Sequence, residues 1–361
     1  MQQKSYTIGV EEEYMLCDPN SYNLTSKADV LYNALDDEQK KTYSYELLLS
    51  VFEANTKVHE TVSDCVVDLK EKRQLLKDLG SKYDFLVGVS GTHPFALAKE
   101  QKFVKTKGYD WVSNQLGYYA KRNVTFGLHI HVGINNNKII TNIMNSLRAW
   151  IAPLLAISCN SPFFEGELTG VKSSRTMQFG VFPRTGIQPY FKSYNEYIEV
   201  SNKLISNNSI VHSNHNWWKI RVNTKFNTIE FRMCDAQSSL KKNGLIFALV
   251  QALVHQSVED YKKNILIEEF NSVYLDDALW QATRFSIDAN IINPFNSEPI
   301  RMKDYIDYMV EYCYNKIVFY KNEKYLSDLS NILRYGTEAD GQIANFNKSN
   351  DLKLLTKELI N

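Results

Sequence analysis

The alternation of apolar and polar residues near the beginning of the chain predicts a β-strand. Residues 6–16, Tyr-Thr-Ile-Gly-Val-Glu-Glu-Glu-Tyr-Met-Leu, are rich in residues that favour strands. Because successive side chains of a strand point to opposite faces, Glu11 and Glu13 share one face, while Glu12 lies among apolar residues on the other. Two carboxylates on one face repel each other, so we expect either a bound divalent cation or solvent around them.

The same alternation predicts a second polar strand face within residues 125–134. Four apolar residues occupy one face, and His129 and His131 share the other with two glycines. Glycine on that face leaves room for a ligand to approach the sheet. A lone histidine would be structural, but two on one strand face favour a binding site.

The remaining hydrophobic pattern predicts helices and short strands in blocks. Helical spacing covers residues 63–79 (begun by Ser63 and stopped by Gly80), 139–158 (interrupted at Pro153), 240–263, 276–289, 303–320 and 326–333. Further strands are predicted at 85–89, 220–222 and 228–234. This order, without a linker or a repeat, favours an α+β fold on an antiparallel sheet in a single domain, residues 1–361.

Composition and charge exclude several classes of protein. With 41 basic and 41 acidic residues among 361, no global field favours nucleic acid or an anionic membrane as a partner. The longest apolar run, residues 245–254, is too short to span a bilayer, and residues 1–5 lack the apolar core of a signal peptide. Five widely spaced cysteines without a C-x-x-C pair are typical of reduced thiols, which predicts a cytoplasmic protein.

Two further segments supply acids. Residues 217–235 form a predicted hairpin in which Glu230 and Arg232 share a face, either as a solvated salt bridge or as a carboxylate beside a phosphate-binding fork. Glu46 and Glu53 lie in apolar surroundings, where unpaired carboxylates are costly. Their separation of seven puts them on opposite faces of a straight strand, so a shared site requires a bend near Ser50.

The long segment 161–191, punctuated by glycine and proline, carries Arg175 and Arg184. Such segments are usually lids or binding loops, and arginine suits a carboxylate or phosphate; the alternative is a surface loop with exposed charges. The chain contains no G-x-x-x-x-G-K-[ST] and no G-x-G-x-x-G motif. Any bound ATP would therefore be held by metals and basic side chains on a sheet.

Together these segments resemble the carboxylate–amine ligase family, also called type 2 glutamate–cysteine ligases, which are relatives of glutamine synthetase. The matching segments keep the family order: GVEEEY (9–14), GTHPFA (91–96), GLHIHVG (127–133), NSPFFEG (160–166), SSRT (173–176), PRTG (183–186), WWKIR, IEFR and CD (within 217–235), and GTEAD (336–340) with Gln342. The chain departs from the family where GTEAD replaces the usual GTGAD and where ATRFSIDA, which contains Arg284, replaces ARYGLDA.

The resemblance implies a glutamine synthetase-like cup of antiparallel sheet with helices outside and Mg²⁺–ATP within; Mn²⁺ could replace Mg²⁺. Such enzymes phosphorylate a carboxylate, typically the γ-carboxylate of glutamate, and an amine, typically that of cysteine, attacks the acyl phosphate. A homodimer that acts on small amino acids in glutathione biosynthesis is also implied.

The resemblance also implies residue roles. Metal ligands would be Glu11, Glu13, Glu46, Glu53, His129 and Glu230. His131, Arg221 and Arg232 would bind the nucleotide, with Arg232, Glu53 and Glu230 acting in catalysis, and Arg175 and Arg184 would bind substrate.

Two alternatives remain open at this point. A metal-dependent hydrolase could hold Zn²⁺ on His129 and His131, although acids outnumber histidines and so favour Mg²⁺. A non-catalytic nucleotide-binding regulator could use the same fold, although the charged positions of an enzyme are all present.

Overall fold

Antiparallel strands form the centre of the molecule. The computed structural model describes residues 6–360, without the side chain of Lys107. The strands are β1 (Ile8–Cys17), β2 (Tyr43–Tyr45), β3 (Val51–Asn55), β4 (Leu86–Gly88), β5 (Gly127–Gly133), β6 (Phe163–Phe164), β7 (Glu167–Leu168), β8 (Ile220–Asn223), β9 (Thr228–Asp235), β10 (Asn290–Ile292) and β11 (Pro299–Arg301).

Seven of these strands make one sheet. Its order is β2-β3-β1-β5-β9-β8, with β4 also pairing with β1, and every pair is antiparallel. The strands come from five separate parts of the chain, so the sheet brings together residues up to about 220 positions apart, as in the row Gly9–His131–Glu230.

Helices make up most of the rest of the chain. They are α1 (Ala28–Ala34), α2 (Val62–Tyr83), α3 (Lys107–Leu116), α4 (Tyr118–Lys121), α5 (Ile140–Leu147), α6 (Ile151–Ser158), α7 (Ser174–Phe179), α8 (Tyr194–Ser206), α9 (Leu240–Lys262), α10 (Ser272–Phe285), α11 (Met302–Phe319), α12 (Leu326–Tyr335), α13 (Glu338–Ser349) and α14 (Leu352–Ile360). Between residues 6 and 360, no helix is both long and apolar enough to cross a membrane.

The apolar faces of β1 and β5 form the floor of the larger core. Ile8 and Val10 on β1 and Leu128 and Ile130 on β5 are buried in one cluster with α2, α5, α6 and α9. The opposite faces of the same strands carry the acids and histidines. The predicted α+β class, an antiparallel sheet with helices packed on it, is therefore confirmed. The alternation of apolar and polar faces predicted for β1 and β5 is confirmed as well.

A buried ion pair links α2 to the apolar face of the sheet. Glu12, fully buried on the apolar face of β1, accepts hydrogen bonds from Arg73 Nε at 2.8 Å and from Arg73 Nη2 at 2.7 Å. Asn243 Nδ2 on α9 donates to the same carboxylate at 3.0 Å. The pattern placed Glu12 correctly among apolar residues but gave no sign of its partner, which lies 61 positions away.

The predicted ends of α2 are wrong. The helix begins after Thr61, whose hydroxyl accepts a hydrogen bond from the backbone N–H of Asp64, and it continues past Gly80 to Tyr83. Asp84 ends it in the left-handed conformation, at φ 58°. Gly80 is needed inside the helix because a Cβ there would lie 2.5 Å from the carbonyl oxygen of Phe85.

The predicted interruption at Pro153 is also wrong. The break between α5 and α6 is a 3-10 turn at Arg148–Trp150, and Pro153 lies in the first turn of α6. A proline is tolerated there because the first backbone N–H groups of a helix have no intrahelical acceptor. Periodicity also missed several shorter or more polar helices, namely α1, α3, α8, α13 and α14.

Candidate active site

The register of the sheet aligns the predicted site residues across neighbouring strands. Glu13 on β1 lies opposite Glu53 on β3, and Glu11 lies opposite His129 on β5. Farther along the sheet, His131 pairs with Glu230 on β9. Because directly opposite side chains share a face, the pairing converts four distant segments into one polar patch.

Glu46 joins this patch because the chain bends where the sequence required it. Strand β2 ends at Tyr45 and β3 begins at Val51, so the turn between them separates Glu46 from the strand that carries Glu53. Glu53 is anchored by Ser44 Oγ at 2.7 Å and by Asn55 Nδ2 at 2.9 Å. The required bend near Ser50 is confirmed.

Three adjoining groups of these residues have the ligand set and spacing to hold metal ions. In each group, one ligand atom per residue lies within 4.8 Å of the others: Glu11, His131 and Glu230; Glu11, Glu53 and His129; and Glu13, Glu46 and Glu53. All six residues predicted as metal ligands are included. The structure adds His131, which the resemblance placed on the nucleotide side.

His129 supplies a direct test of whether a cation fits. Its Nδ1 lies 3.1 Å from Glu11 Oε2; when Nδ1 donates this bond, Nε2 of the neutral ring carries a lone pair. That Nε2 is buried, has no hydrogen-bond partner within residues 6–360, and lies 3.8 Å from Glu13 Oε1. In this tautomer a lone pair faces a carboxylate, a repulsive arrangement that a cation between them would relieve, so the residues present fit a divalent metal.

The titration behaviour of His129 supports the same state. Burial, with the neighbouring charge of Arg232, lowers the pKa of His129 below its ordinary value of 6.5. The ring is therefore neutral at pH 7, as a metal ligand must be. His131 differs: burial would lower its pKa, but the charges of Glu230 and Glu11 raise it.

The neighbouring charges that raise the pKa of two of the acids are those of other carboxylates. Burial, then the charges of Glu11 and Glu13, raises the pKa of Glu53 to about 8. Burial and the charge of Glu53 raise the pKa of Glu46 well above 4.5. Such a cluster holds protons when no cation is bound, because the charged forms repel in a poorly hydrated place.

Glu230 is held differently, between two arginines. Arg221 Nε donates to Glu230 Oε2 at 2.7 Å, and Arg232 Nη1 donates to Oε1. Burial alone would raise the pKa of Glu230, but the two guanidinium groups lower it well below the ordinary value. Glu230 is thus fully ionised. A metal ion bound to its carboxylate would share that group with Arg221 and Arg232, which both donate hydrogen bonds to it.

The side chain of Arg175 fills the space beside Gly127, the first residue of β5. A Cβ on Gly127 would lie 2.3 Å from Arg175 Nη2, while the Gly127 N–H donates to Glu13 Oε2 at 2.6 Å. Gly133 similarly makes room for Thr7, whose Oγ1 would lie 2.9 Å from a Cβ there. The interpretation that these glycines leave room for a ligand is therefore wrong at both positions, since protein side chains fill that space.

Comparison with known proteins places the chain in a family. The family model described as glutamate–cysteine ligase family 2 matches residues 7–358. The chain belongs to glutamate–cysteine ligase family 2. Proteins provisionally named glutamate–cysteine ligase 2 are similar to it: that of Solibacter usitatus is 30% identical over 99% of this chain and 93% of its own, and that of Chloroflexus aggregans is 29% identical over 99% and 92%.

Solved structures share the family's fold. The glutamate–cysteine ligase of Francisella tularensis, solved in complex with AMP, aligns with a TM-score of 0.72 and 10% identity over 100% of this chain and 88% of its own. A bifunctional glutathione synthetase of Pasteurella multocida aligns with a TM-score of 0.70 and 12% identity over 99% of this chain and 51% of its own. At these identities the likeness concerns the fold.

In this member of the family, the polar patch borders two cavities. The first, of about 350 Å³, includes Glu13, Glu46, His129, Arg175 and Arg232 among its lining residues. The second, of about 590 Å³, is lined by His131, Phe226 and Thr228, among others. Glu11 and Glu53 border both cavities, so the proposed metal ligands lie where two bound molecules would meet.

Arg184 is the predicted site residue that the fold does not bring to the patch. It lines neither cavity, and its Nε donates to the carbonyl oxygen of His215 at 3.3 Å. Segment 161–191, expected as an irregular loop, contains the short hairpin of β6 and β7 and the helix α7 that carries Arg175. The role of Arg184 in substrate binding therefore stays a prediction. Its contact with the first cavity is indirect, through His215, which lines that cavity.

The two segments that depart from the family pattern lie away from the cavities. Glu338 accepts hydrogen bonds from Ser238 N and Oγ at 2.8 Å, and Asp340 caps α13 through Thr337. Arg284 lies near Gly170, with Nη1 3.6 Å from where a Cβ would be. Glu338, the altered residue of GTEAD, therefore has a structural role, since it holds the residues that precede α9.

Sequence analysis missed Lys219 and Tyr109 near the site. Lys219 is buried close to Arg175 and Arg232; burial, then the charge of Arg175, lowers its pKa to about 7. Tyr109 on α3 lines the first cavity and donates to the Tyr45 carbonyl oxygen at 2.7 Å. The WWKIR motif contains Lys219, so alternation with Arg221 could have placed it on the polar face.

Proposed function

We propose that the protein is an ATP-dependent carboxylate–amine ligase that joins the γ-carboxylate of glutamate to the amine of cysteine or of another amino compound. The observation that carries this proposal is the convergence of Glu11, Glu13, Glu46, Glu53 and His129 beside three arginines, in a chain that belongs to glutamate–cysteine ligase family 2. Many carboxylates in one place suit several divalent ions on a polyphosphate.

The reaction proceeds in two displacements. An oxygen of the γ-carboxylate attacks the γ-phosphorus of ATP, the bond between that phosphorus and the bridging oxygen breaks, and ADP leaves. The amine nitrogen then attacks the acyl carbon, the C–O bond breaks, and inorganic phosphate leaves with its electron pair. The nitrogen, initially an ammonium group, loses two protons in forming the neutral amide.

The side chains supply orientation and charge. Arg232, held on ionised Glu230, would offset charge on the transferred phosphoryl group, and Arg221 beside it would hold phosphate. Arg175 would receive a substrate carboxylate; its Nε is buried and without a hydrogen-bond partner in the described part of the chain. Mg²⁺, or Mn²⁺ in its place, would be held by the three ligand groups and would neutralise phosphate charge.

The two cavities suggest how the substrates divide the site. We propose that ATP enters the second cavity, where His131 and Thr228 would face its phosphates, and that the amino acids enter the first. The shared position of Glu11 and Glu53 supports this division, because phosphoryl transfer needs nucleotide and acceptor in contact at the metals.

Further features follow from the family resemblance. We propose a homodimer in the cytoplasm, with residues 1–361 acting as one catalytic domain; with cysteine as the acceptor, its product would enter glutathione biosynthesis. The five cysteines are buried and free, which suits a reducing compartment. The continuous sheet from β2 to β8, built from distant segments, suits a single catalytic unit.

A screen of ADP release tests the proposal. Purified protein with ATP and Mg²⁺ is given glutamate, cysteine and other amino acids singly and in pairs, and the amide product is identified by mass. We expect release of ADP to require glutamate and to be abolished in Glu13→Gln, with an unchanged circular dichroism spectrum; exposed Glu199→Gln on α8 is the control. Normal turnover by Glu13→Gln, hydrolysis without ATP, or nucleotide binding without turnover across the whole panel would refute the proposal.

A further inference from the structure

A row of aromatic rings forms one side of the first cavity. Phe179, Phe182, His215 and Trp217 all line it, and we call these four residues the aromatic wall. The rings of Phe179 and Phe182 lie 5.4 Å apart, those of Phe182 and Trp217 5.5 Å, and those of His215 and Trp217 5.4 Å. The wall is thus a packed surface rather than a set of separate side chains.

The wall begins next to the groups that would perform the reaction. The guanidinium carbon of Arg175 lies 6.0 Å from the centre of the Phe179 ring. The other end of the same guanidinium lies against Gly127, whose N–H binds Glu13. The side chain of Arg175 therefore lies between the Phe179 end of the aromatic wall and the backbone that binds Glu13.

Aliphatic residues face the same cavity. Leu47, Leu48, Val51 and Val112 line it together with the wall. All the acids among the lining residues within 6–360 belong to the carboxylate group that would hold metal. Of the remaining polar lining residues, Arg175, Arg221 and Arg232 are charged, and the others, such as Asn123 and Asn214, are uncharged. The part of the cavity away from the metals thus offers apolar contact and no carboxylate partner for a basic side chain.

We propose that the preferred acceptor is a primary amine carrying a bulky apolar group, aromatic or branched, rather than cysteine. This inference rests on the proposed ligase function and names its second substrate. An aromatic group would displace water from the wall and bury apolar surface, whereas the single thiol-bearing carbon of cysteine would cover little of it. Apolar amino acids and simple apolar amines share this chemistry, and the experiment distinguishes them.

The experiment measures amide formation with a series of acceptors. With ATP, Mg²⁺ and glutamate fixed, kcat/KM is determined for alanine, cysteine, leucine, phenylalanine and phenethylamine. We expect phenylalanine or phenethylamine to exceed cysteine by about tenfold or more, since about tenfold is the lower end of the discrimination that one methylene group gives in an apolar pocket. Phenethylamine exceeding phenylalanine would indicate a simple amine, and the reverse would indicate an amino acid.

Variants of the wall show whether it contacts the acceptor. We expect Trp217→Ala to remove the preference for the aromatic acceptor while leaving the KM values of glutamate and ATP unchanged. Phe179→Leu, which keeps an apolar group, is the milder variant if Trp217→Ala does not fold. Trp280→Ala on α10, where the tryptophan is 44% exposed, is the matched control.

Two results would overturn the inference while leaving the ligase function intact. One is a preference for cysteine or alanine over every bulky acceptor. The other is an equal loss of rate with all acceptors in Trp217→Ala or Phe179→Leu, which would make the wall a structural cover. Absence of ADP release with every acceptor would instead refute the ligase function, and this inference with it.

Discussion

Binding of a divalent metal should release protons from the carboxylate cluster, and the structure sets the amount. Glu53 and Glu46 are buried against other acids, and the pKa of Glu53 is raised to about 8 by burial and by Glu11 and Glu13. A metal binds the ionised carboxylate, so its binding must displace whatever proton the free protein holds. The experiment is therefore a titration of the metal-free protein with Mn²⁺ or Mg²⁺ at two pH values.

The magnitude follows from that pKa. A group with a pKa of about 8 is about 0.9 protonated at pH 7 and about 0.1 protonated at pH 9. Glu53 alone should thus release about 0.9 proton per protein at pH 7, and Glu46, whose pKa is also raised, should add to this. Glu11 and Glu230 have lowered pKa values and should release none.

The contribution of Glu53 to folding stability changes with pH in the opposite direction to that of an ordinary salt-bridged acid. Because the folded-state pKa of Glu53 is raised above its ordinary 4.5, its contribution to metal-free stability is full below pH 4.5 and is lost as the pH rises towards 8. Metal binding should therefore raise the melting temperature more at pH 8 than at pH 6.

Isothermal titration calorimetry in buffers of different ionisation enthalpy, such as Pipes, Hepes and Tris, counts the protons. When the observed enthalpy of metal binding is plotted against the ionisation enthalpy of the buffer, the slope should be about one or more at pH 7. The slope should be smaller at pH 9. Glu53→Gln should reduce the slope by about 0.9 at pH 7, and Glu199→Gln should leave it unchanged. A slope of zero at pH 7, or equal slopes at both pH values, would refute the crowded-carboxylate reasoning.

Two other substitutions probe the charges on either side of the sheet. Arg232→Lys should lower kcat by about 10²-fold or more, because a point charge cannot replace the guanidinium fork, whereas exposed Arg334→Lys should not; steady-state ADP release measures this. Arg73→Met should lower the free energy of unfolding by about 3–5 kcal/mol in urea, because Glu12 would remain buried and unpaired. Adding Glu12→Gln to Arg73→Met should restore part of this loss; no recovery would mean that packing, not charge, sets the cost.

Local alternation determined a large part of this protein. It placed Glu11 and Glu13 on one face of a strand and Glu12 on the other, and it put His129 and His131 together, all of which the structure confirms. These inferences hold because the two-residue period of a strand depends only on neighbouring residues. The family resemblance, carried by short motifs in order, then added the expected glutamine synthetase-like fold and the expected metal ligands.

Tertiary structure alone decided which distant residues meet. Arg73 lies 61 positions from Glu12, and the Arg175 guanidinium fills the space at Gly127; neither contact has a local signature. The aromatic wall likewise joins the end of α7, the residues just after it and the segment before β8, whose rings have no common period. Strand pairing and side-chain packing across the sheet fix such contacts through long-range burial, which no window of sequence contains.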